Sequence, residues 1–324
     1  MPDRRCIARA AVLSLFAAWL PAAVQAQSGP PLAEPRKIEV ILPYAAGGGV
    51  DAMGRAFARE ASRLTGDNWI VVNRDGAGGM LGFAALANAA PNGQTLVFSP
   101  ASPLVIAPHM NRSLPFQPTR IEPVCQVFEN VFAIAVRQES PIQSMRELIA
   151  RAKVSPGRLS YGHAGAGSVP HLSVAALEQA FDARFNPIPF RGDGAMLPQL
   201  LGGELDFGVP AISSIGGKNL RVLAVLSDKP HPGAPGAPDL KTLGYTPVTP
   251  GLNGLYAPAG TPKPLLARLQ SLCQQVTAAP DFGKTAQTLQ QSPAYLPATA
   301  FKERLARVSR ENAQLVSTMT LEKN

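Results

Sequence analysis

"ILPYAAGGGVDAMGRAF", residues Ile41 to Phe57, runs from an apolar segment through three consecutive glycines into an amphipathic pattern. The overlapping stretch KIEVILPY predicts a buried strand, and apolar residues then recur every three or four positions from Met53 to Leu64, which is the spacing of one helix face. The stretch therefore predicts a strand, a glycine turn and a helix, the unit from which parallel α/β sheets are built.

The same unit recurs along the chain. NWIVVNR, DGAGGM, LGFAALANAA and QTLVFSP predict a strand, a glycine turn, a helix and another strand. The pattern begins again at VFAIAVR, continues with a helix from about Ser144 whose start resembles a capping box, and returns in GRLSYGHAGAGSVPHLSVAALEQAF, where Pro170 lies near the first turn of a helix. Two such runs predict two α/β lobes with a hinge near residues 130 and 226.

The glycines Gly47, Gly48 and Gly49 admit three interpretations. GGGVDA satisfies the dinucleotide-binding spacing after a strand, and Asp75 follows the next strand where a ribose-binding acid is expected. Glycine also permits a tight turn without any ligand. In the third interpretation, glycine loops of both lobes present N–H groups and helix N-termini to one cleft, which suits a ligand's carboxylates. The recurrence of the loop in both halves favours this third interpretation.

The first 26 residues are typical of a secretory signal peptide. They have a basic start, an apolar stretch from about Ala10 to Leu20, and small residues at Val24 and Ala26. Pro21 interrupts the apolar stretch before it reaches the length of a membrane span. We therefore expect cleavage after Ala26 and a mature protein in the periplasm that is not embedded in a membrane.

The composition excludes several classes of protein. A chain of 324 residues with 46% hydrophobic residues can bury a core large enough for two lobes. Its net charge of +8 is scattered, without the basic runs and interleaved aromatics of a nucleic-acid-binding protein. Cys125 and Cys273 can pair in an oxidising compartment, although their spacing does not reveal their distance. No residues have metal-ligand spacing, so we expect no metal and no other cofactor.

Catalysis has less support than binding. Ser168 and His171 resemble a nucleophile and base, but they lack a third orienting group and a G-x-S-x-G motif, so polar residues at a helix terminus are the favoured interpretation. Asp51 and Arg55, four residues apart, predict an ion pair within a helix. Asp51 also lies close enough to the glycine loop to shape a site. The sequence therefore predicts a protein that is not an enzyme.

Five ordered motifs carry a resemblance to a known family. LPYAAGGGVDAMGR, VNRDGAGGMLG, PNGQTL, YGHAGAGSVPHLS and FRGDGAMLPQLLGGELD resemble, in order and spacing, the signatures of the Bug family of periplasmic solute-binding receptors. This family is also called the tripartite tricarboxylate transporter receptor family. The likeness covers nearly the whole mature chain, including LYAPAGTPKPLLARL near the end.

The resemblance implies a type II periplasmic-binding-protein fold, in which two α/β lobes joined by a hinge close on a ligand like a Venus flytrap. We expect a signal peptide at residues 1–26, the first part of lobe 1 at 27–132, lobe 2 at 133–225, and a return to lobe 1 with C-terminal helices at 226–324. The implied ligand is a small carboxylate, and the implied partner is a membrane permease. We expect a monomer.

The resemblance also implies which residues bind the ligand. The first carboxylate loop runs from Tyr44 to Asp51, and the second from His163 to His171, with Ser168 as a hydroxyl donor; residues 191–195 line the other side and residues 99–102 the far end. The expected ligand-binding residues are Tyr44, Ala46, Gly47, Gly48, Gly49, Asp51, Ala77, Gly78, His163, Gly165, Ala166, Gly167, Ser168, His171 and Asp193.

Three positions depart from the family pattern. Gln199 stands where an aspartate is usual, Pro210 lies near the common position of another, and Val72 replaces a glutamate. We expect these changes to lie by the hinge or the wall of the second lobe and to affect ligand identity. The predicted function is capture of a small carboxylate for delivery to a permease. A ligand-sensing partner of a signalling receptor stays open as an alternative, with a periplasmic hydrolase using Ser168 as a weaker one.

Overall fold

Two β-sheets organise the chain in the computed structural model, which describes residues 35–245, 249–291 and 293–318. The predicted signal peptide lies outside the described residues. The strands are β1 (Lys37–Leu42), β2 (Asn68–Asn73), β3 (Thr95–Pro100), β4 (Ile121–Asn130), β5 (Ala133–Arg137), β6 (Ser160–His163), β7 (Asn186–Pro189), β8 (Phe207–Gly208), β9 (Leu220–Val225), β10 (Gly251–Pro258) and β11 (Pro293–Pro297).

Ten α-helices and three 3-10 turns surround these sheets in the described residues. The helices are α1 (Gly49–Thr65), α2 (Met80–Ala87), α3 (Ser102–Val105), α4 (Ala107–Met110), α5 (Met145–Val154), α6 (Val169–Phe181), α7 (Asp193–Gly202), α8 (Lys263–Ala278), α9 (Pro280–Thr288) and α10 (Ala298–Ser317). The 3-10 turns are Ala77–Gly79, Pro118–Arg120 and Ile212–Ser214. None of the described helices is long and apolar enough to cross a bilayer.

The larger sheet has the strand order β11-β4-β10-β3-β1-β2. Strands β1, β2 and β3 are parallel, as the repeated strand-turn-helix units predict, but β10, β4 and β11 are joined to them by antiparallel pairs. The sheet is therefore mixed. A local pattern of units predicts only consecutive parallel strands, whereas β10 returns to this sheet after the chain has passed through the other one.

The smaller sheet has the order β7-β6-β8-β5-β9 and collects strands between residues 133 and 225. The backbone passes from the larger sheet to the smaller one at residues 131–132, directly after β4, and leaves the smaller sheet after β9. An isolated bridge joins Phe132 to Ala211 at this passage. The two-lobe fold with a hinge and a cleft is thus present, and the cleft lies where both glycine loops leave their strands.

Helix α1 confirms the apolar periodicity except at its last position, Leu64, which is exposed. Met53, Phe57 and Ala61 are fully buried against the larger sheet. A side chain at Gly54 would meet Leu42 Cδ2 at 2.6 Å, so glycine allows the helix to approach β1 closely. Gly66 then ends the helix in the left-handed conformation, with a φ of 72°.

The capping box predicted at Ser144 is present in a shifted form. The Ser144 hydroxyl accepts a hydrogen bond from Glu147 N at 3.2 Å, while the Glu147 carboxylate accepts one from Gln143 N at 2.9 Å. The C-terminal region is helical as predicted, but it also contains β11. Proline at both ends of this segment disfavours helix, and β11 pairs with the edge of β4.

A disulfide joins Cys125 in β4 to Cys273 in α8. Both side chains are fully buried in the core between the larger sheet and its helices. The bond links residues that are 148 positions apart, so it connects the first part of the chain to the segment that returns from the second sheet. Sequence alone left this pairing undecided.

Candidate functional site

A small cavity lies between the two sheets, at the ends of the strands that precede α1 and α6. Its volume is about 40 Å³, and since one water molecule needs about 10–15 Å³ by this measure, the cavity has room for about three. The lobes touch around it, so the structure is a closed arrangement. Among the described residues, no lysine, arginine or histidine side chain lines the cavity, and no three potential metal ligands come together.

The loop before α1 brings backbone N–H groups to the cavity. Gly47 has a φ of +88°, which favours glycine, while Gly48 is extended and Gly49 begins the helix. Gly49 N donates a hydrogen bond to the Ser214 hydroxyl at 2.8 Å. The next amides of α1 have no partner within the helix, because the first N–H groups of any α-helix lack one. This end of the cavity therefore carries hydrogen-bond donors and the positive end of a helix dipole.

Asp51 holds this loop in place. Its carboxylate accepts hydrogen bonds from Gly47 N at 3.2 Å, from Asn73 Nδ2 at 3.0 Å and from Arg55 Nε at 3.0 Å. The predicted ion pair with Arg55 is confirmed. Burial alone would raise the pKa of Asp51, but the hydrogen bonds from Arg55, Asn73 and Gly47 outweigh burial and lower it. Asp51 lines the cavity, yet its carboxylate is already occupied by the protein.

Replacing Asp51 with asparagine is expected to lower the free energy of unfolding at pH 7 by about 1–3 kcal/mol, the usual contribution of buried hydrogen bonds to a charged group. The folded-state pKa is below the unfolded value of about 3.9, so this contribution is present above that value and is lost as the pH falls through the lower folded-state pKa. Thermal melts of both proteins between pH 3 and 7 measure it.

The difference in the free energy of unfolding between wild type and Asp51→Asn should therefore become smaller as the pH falls. The matched control is Asp281→Asn, which changes an exposed aspartate in the first turn of α9 and should alter stability little. A difference that stays constant across the pH range would contradict a role for the ionised carboxylate.

The second glycine loop leads from β6 into α6. The Ser168 hydroxyl caps the helix by accepting a hydrogen bond from His171 N at 3.4 Å, and its own O–H remains able to donate. Pro170 removes one N–H from the first turn. The donors that remain here are the Ser168 O–H and the Val169 N–H, and both residues line the cavity.

His163 and His171 stack behind this loop with their ring centres 4.5 Å apart. Burial and the neighbouring His171 ring lower the pKa of His163 to about 3, and burial lowers the pKa of His171. His163 Nδ1 lies 3.0 Å from Gly165 O, and His171 Nδ1 accepts a hydrogen bond from Gly167 N at 3.4 Å. Both rings thus support the loop as neutral groups, and Ser168 is bonded to the backbone of His171 rather than to its ring.

Other glycines form the contact between the lobes. A Cβ at Gly165 would lie 2.7 Å from Gly78 N. A Cβ at Gly78 would likewise overlap Ala166 O, so neither position has room for a side chain. The Tyr44 hydroxyl donates to Gly78 O at 3.0 Å and holds this contact from the first lobe. On the other side of the cavity, Ala45 N donates to Arg191 O at 2.7 Å. Direct backbone packing thus closes the cleft on two sides.

The fifteen predicted site residues divide into two groups. Six line the cavity, namely Tyr44, Gly48, Gly49, Asp51, Ser168 and Asp193. The other nine lie in the loops behind it or in the contact between the lobes, namely Ala46, Gly47, Ala77, Gly78, His163, Gly165, Ala166, Gly167 and His171. Asn130, Phe132 and Ala211 also line the cavity, because the chain changes sheets beside it, but they were not predicted as site residues. Asn130 and Phe132 lie in the stretch FENVF, at the hinge predicted near residue 130, whereas no sequence signal points to Ala211.

Asp193 is the first residue of α7 and lines the cavity. Unlike Asp51, which pairs with Arg55, it has no cationic partner among the described residues. Its Oδ2 accepts hydrogen bonds from the Ser214 hydroxyl at 2.6 Å and from Ala211 N at 3.0 Å. Burial raises the pKa of Asp193 although both hydrogen bonds lower it. A Cβ at Gly48 would be 3.5 Å from Asp193 Cβ, so this acid lies next to the start of α1.

The three departures from the family pattern lie away from the cavity lining. Gln199 is exposed on α7, and Val72 is half-buried in β2. Pro210 is buried and its carbonyl accepts a hydrogen bond from Ala133 N at 3.0 Å, close to the passage between the sheets. None of them touches the cavity, so any effect on a ligand would pass through the surrounding backbone.

Comparison with known proteins agrees with this architecture. A family model described as "Tripartite tricarboxylate transporter family receptor" matches residues 53–319. The chain belongs to this family of receptors. They are non-catalytic periplasmic binding proteins, so the resemblance and the prediction of a non-enzyme are both confirmed.

Individual relatives and solved structures are similar along most of the chain. A Cupriavidus necator protein, "UPF0065 protein in gbd 5'region", is 30% identical over 328 residues, which covers 100% of this chain and 99% of that protein. The structure of the periplasmic binding protein BugD has a TM-score of 0.84 at 26% identity and covers 89% of this receptor and 99% of BugD. The structure of MatC from Rhodopseudomonas palustris with bound malate has a TM-score of 0.80 at 23% identity, covering 87% and 99%.

Proposed function

We propose that this receptor captures a small carboxylate in the cavity between its lobes, through the two glycine-rich loops, and delivers it to a membrane permease. The observation that supports this most directly is the convergence of α1 and α6 on one cavity. Each helix points its N-terminus at the cavity and each is preceded by a glycine loop, so backbone donors face a shared space.

The family supports the rest of the proposal. Tripartite transporter receptors work with membrane partners, and the related MatC was solved with malate, a small carboxylate. The predicted signal peptide, which lies outside the described residues, is consistent with a periplasmic location. A buried disulfide suits the same oxidising compartment.

Closure of the two lobes couples ligand binding to recognition by the permease. A ligand can shift the open and closed populations only by its difference in affinity for them. A ligand that contacts Gly48 of one lobe and Ser168 of the other makes both contacts only when the lobes are together. The closed form that a permease would recognise is therefore the ligand-bound form.

The test is a thermal-shift screen of di- and tricarboxylates, amino acids and aromatic acids, followed by calorimetry on Gly48→Val. A ligand at about 100 times its Kd should stabilise the protein by about 2.7 kcal/mol. Gly48 has extended backbone dihedrals that any residue adopts, so valine should fold normally while its methyl groups fill the cavity. We expect at least a tenfold loss of affinity.

Gly48→Ala is the matched control, because its single Cβ would make an ordinary contact, 3.5 Å from Asp193 Cβ. Alanine should weaken binding much less than valine does. Equal affinity for the hit in wild type and Gly48→Val would place the ligand outside this cavity and contradict the proposal.

A further inference from the structure

We propose that the ligand is a small aminocarboxylate, whose carboxylate binds at the α6 end of the cavity and whose ammonium group binds Asp193. This inference rests on the proposed function and specifies its ligand class. It favours a zwitterion over the di- and tricarboxylates that the family description suggests.

The two ends of the cavity differ in charge. At the α1 end, Asp193 already lies beside the helix N-terminus, and Ser214 links the two by accepting from Gly49 N and donating to Asp193 Oδ2. The protein's own carboxylate thus offsets the positive end of α1. At the α6 end, Ser168 and Val169 line the cavity with the Ser168 hydroxyl and the Val169 N–H as donors, and the two cavity-lining acids among the described residues, Asp51 and Asp193, belong to α1 and α7. A ligand carboxylate is therefore best placed at α6.

The acidic end lacks a cation. Arg191 is two residues from Asp193, but its side chain is 74% exposed and reaches toward Asp75, 3.9 Å away. Arg55 is bonded to Asp51 and Asn73. Among the described residues, no lysine or arginine side chain lines the cavity. A second ligand carboxylate at this end would meet Asp193 without compensation, whereas an ammonium group would supply the missing charge.

A second polar side chain of the same cavity also calls for a hydrogen-bond donor. Asn130 lines the cavity with a relative exposure of 1%, and its Oδ1 has no hydrogen-bond partner among the described residues. Both Asn130 and Asp193 line this cavity, and the passage between the sheets connects them: Phe132, two residues after Asn130, bridges to Ala211, whose N–H binds the Asp193 carboxylate. Asp193 and Asn130 therefore both present hydrogen-bond acceptors to the cavity. An ammonium group has three donors and no acceptor, and it matches them.

Asp193 Oδ1 provides the point of contact. Within the described residues, both hydrogen bonds to this carboxylate reach Oδ2, so Oδ1 receives none from the protein. The cavity volume of about 40 Å³, room for about three water molecules, favours the shortest aminocarboxylates. Glycine, β-alanine and 4-aminobutyrate are unbranched probes that combine one carboxylate with one ammonium group at increasing separation.

The experiment is calorimetry of the purified exported protein with three matched pairs: glycine and malonate, β-alanine and succinate, 4-aminobutyrate and glutarate. Each pair differs by an ammonium group in place of one carboxylate. We expect at least one amino member to bind ten times or more tightly than its dicarboxylate. Tighter binding of the dicarboxylates, or no binding of any amino member, would overturn the inference.

The variant Asp193→Asn tests the residue. Asparagine can keep both hydrogen bonds to Oδ2 through its carbonyl oxygen, so the fold should persist, and an unchanged melting temperature checks this. Affinity for the amino member should fall tenfold or more, and the preference over the dicarboxylate should disappear. Asp281→Asn, in the first turn of α9, is the matched control and should change neither. If Asp193→Asn still prefers the amino member over its dicarboxylate as the wild type does, another group determines the selectivity and the inference is wrong.

The two proposals fail in different ways. If dicarboxylates bind the wild type and Gly48→Val removes that binding, the carboxylate receptor stands and the aminocarboxylate inference is wrong. If an amino member binds and Gly48→Val leaves its affinity unchanged, the cavity is not the binding site and both proposals are wrong.

Discussion

Replacing Gly49 with alanine is expected to lower the affinity for the ligand by about 10- to 100-fold while the protein stays folded. In the closed arrangement, a Cβ at this position would overlap the Ser213 hydroxyl and lie 2.6 Å from Ser213 Cβ. Gly49 belongs to α1 and Ser213 follows β8, so the overlap exists only when the lobes are together. Overpacking of this kind costs about 1–3 kcal/mol, which corresponds to the expected loss of affinity.

The open form should tolerate the same change. Alanine is a better helix former than glycine, so the melting temperature without ligand should stay the same or rise slightly. Calorimetry with the hit from the thermal-shift screen measures the affinity, and small-angle scattering with and without ligand measures closure.

Gly283→Ala provides the matched control for Gly49→Ala. It is also a glycine-to-alanine change within a helix, and its Cβ would have no neighbour within 4 Å. Affinity should be unchanged in this variant. A Gly49→Ala protein that binds and closes as the wild type does would show that the functional closed form differs from the arrangement described above.

Reduction of the Cys125–Cys273 disulfide should lower the free energy of unfolding by about 2–5 kcal/mol, the usual cost of losing a native disulfide. The melting temperature should fall by roughly 5–10 °C. The bond spans 148 residues and includes the whole smaller sheet within its loop, so it restricts the unfolded chain strongly. Because both sulfurs are fully buried, reduction requires unfolding in the presence of dithiothreitol, and the comparison is made after refolding.

The control for reduction is the double variant Cys125→Ala with Cys273→Ala. Dithiothreitol should not change the melting temperature of this variant, since both cysteines of the disulfide have been replaced. Free-thiol titration of the native protein should detect no reactive thiol from this pair. If reduced and oxidised wild type melted at the same temperature, the bond would contribute nothing to stability.

The local units could be predicted from the sequence. Apolar spacing from Met53 to Leu64 predicted α1, and the glycine runs predicted both loops. These features depend on residues a few positions apart, so a short stretch contains all the information that determines them. The ordered motifs also predicted the receptor family and its two-lobe fold, which the comparisons confirm.

The sequence predicted less of the cavity. It pointed to Gly48 and Ser168 because each lies in a glycine loop at a helix start, and both line the cavity. It did not point to Asn130 or Ala211, which come from the passage between the sheets and from the end of β8. No local pattern marks such residues, because they become neighbours only when two sheets meet.

The sequence by itself determined the strand-turn-helix units, the two lobes and the family, because hydrophobic periodicity and glycine turns act over short distances. Only the tertiary structure decided that Cys125 pairs with Cys273, that Gly78 and Gly165 meet across the cleft, and that Asp193 lies beside the start of α1 with no cationic partner among the described residues. The charge of the cavity depends on side chains brought together from distant parts of the chain. Ligand selectivity is therefore a property of the closed lobes.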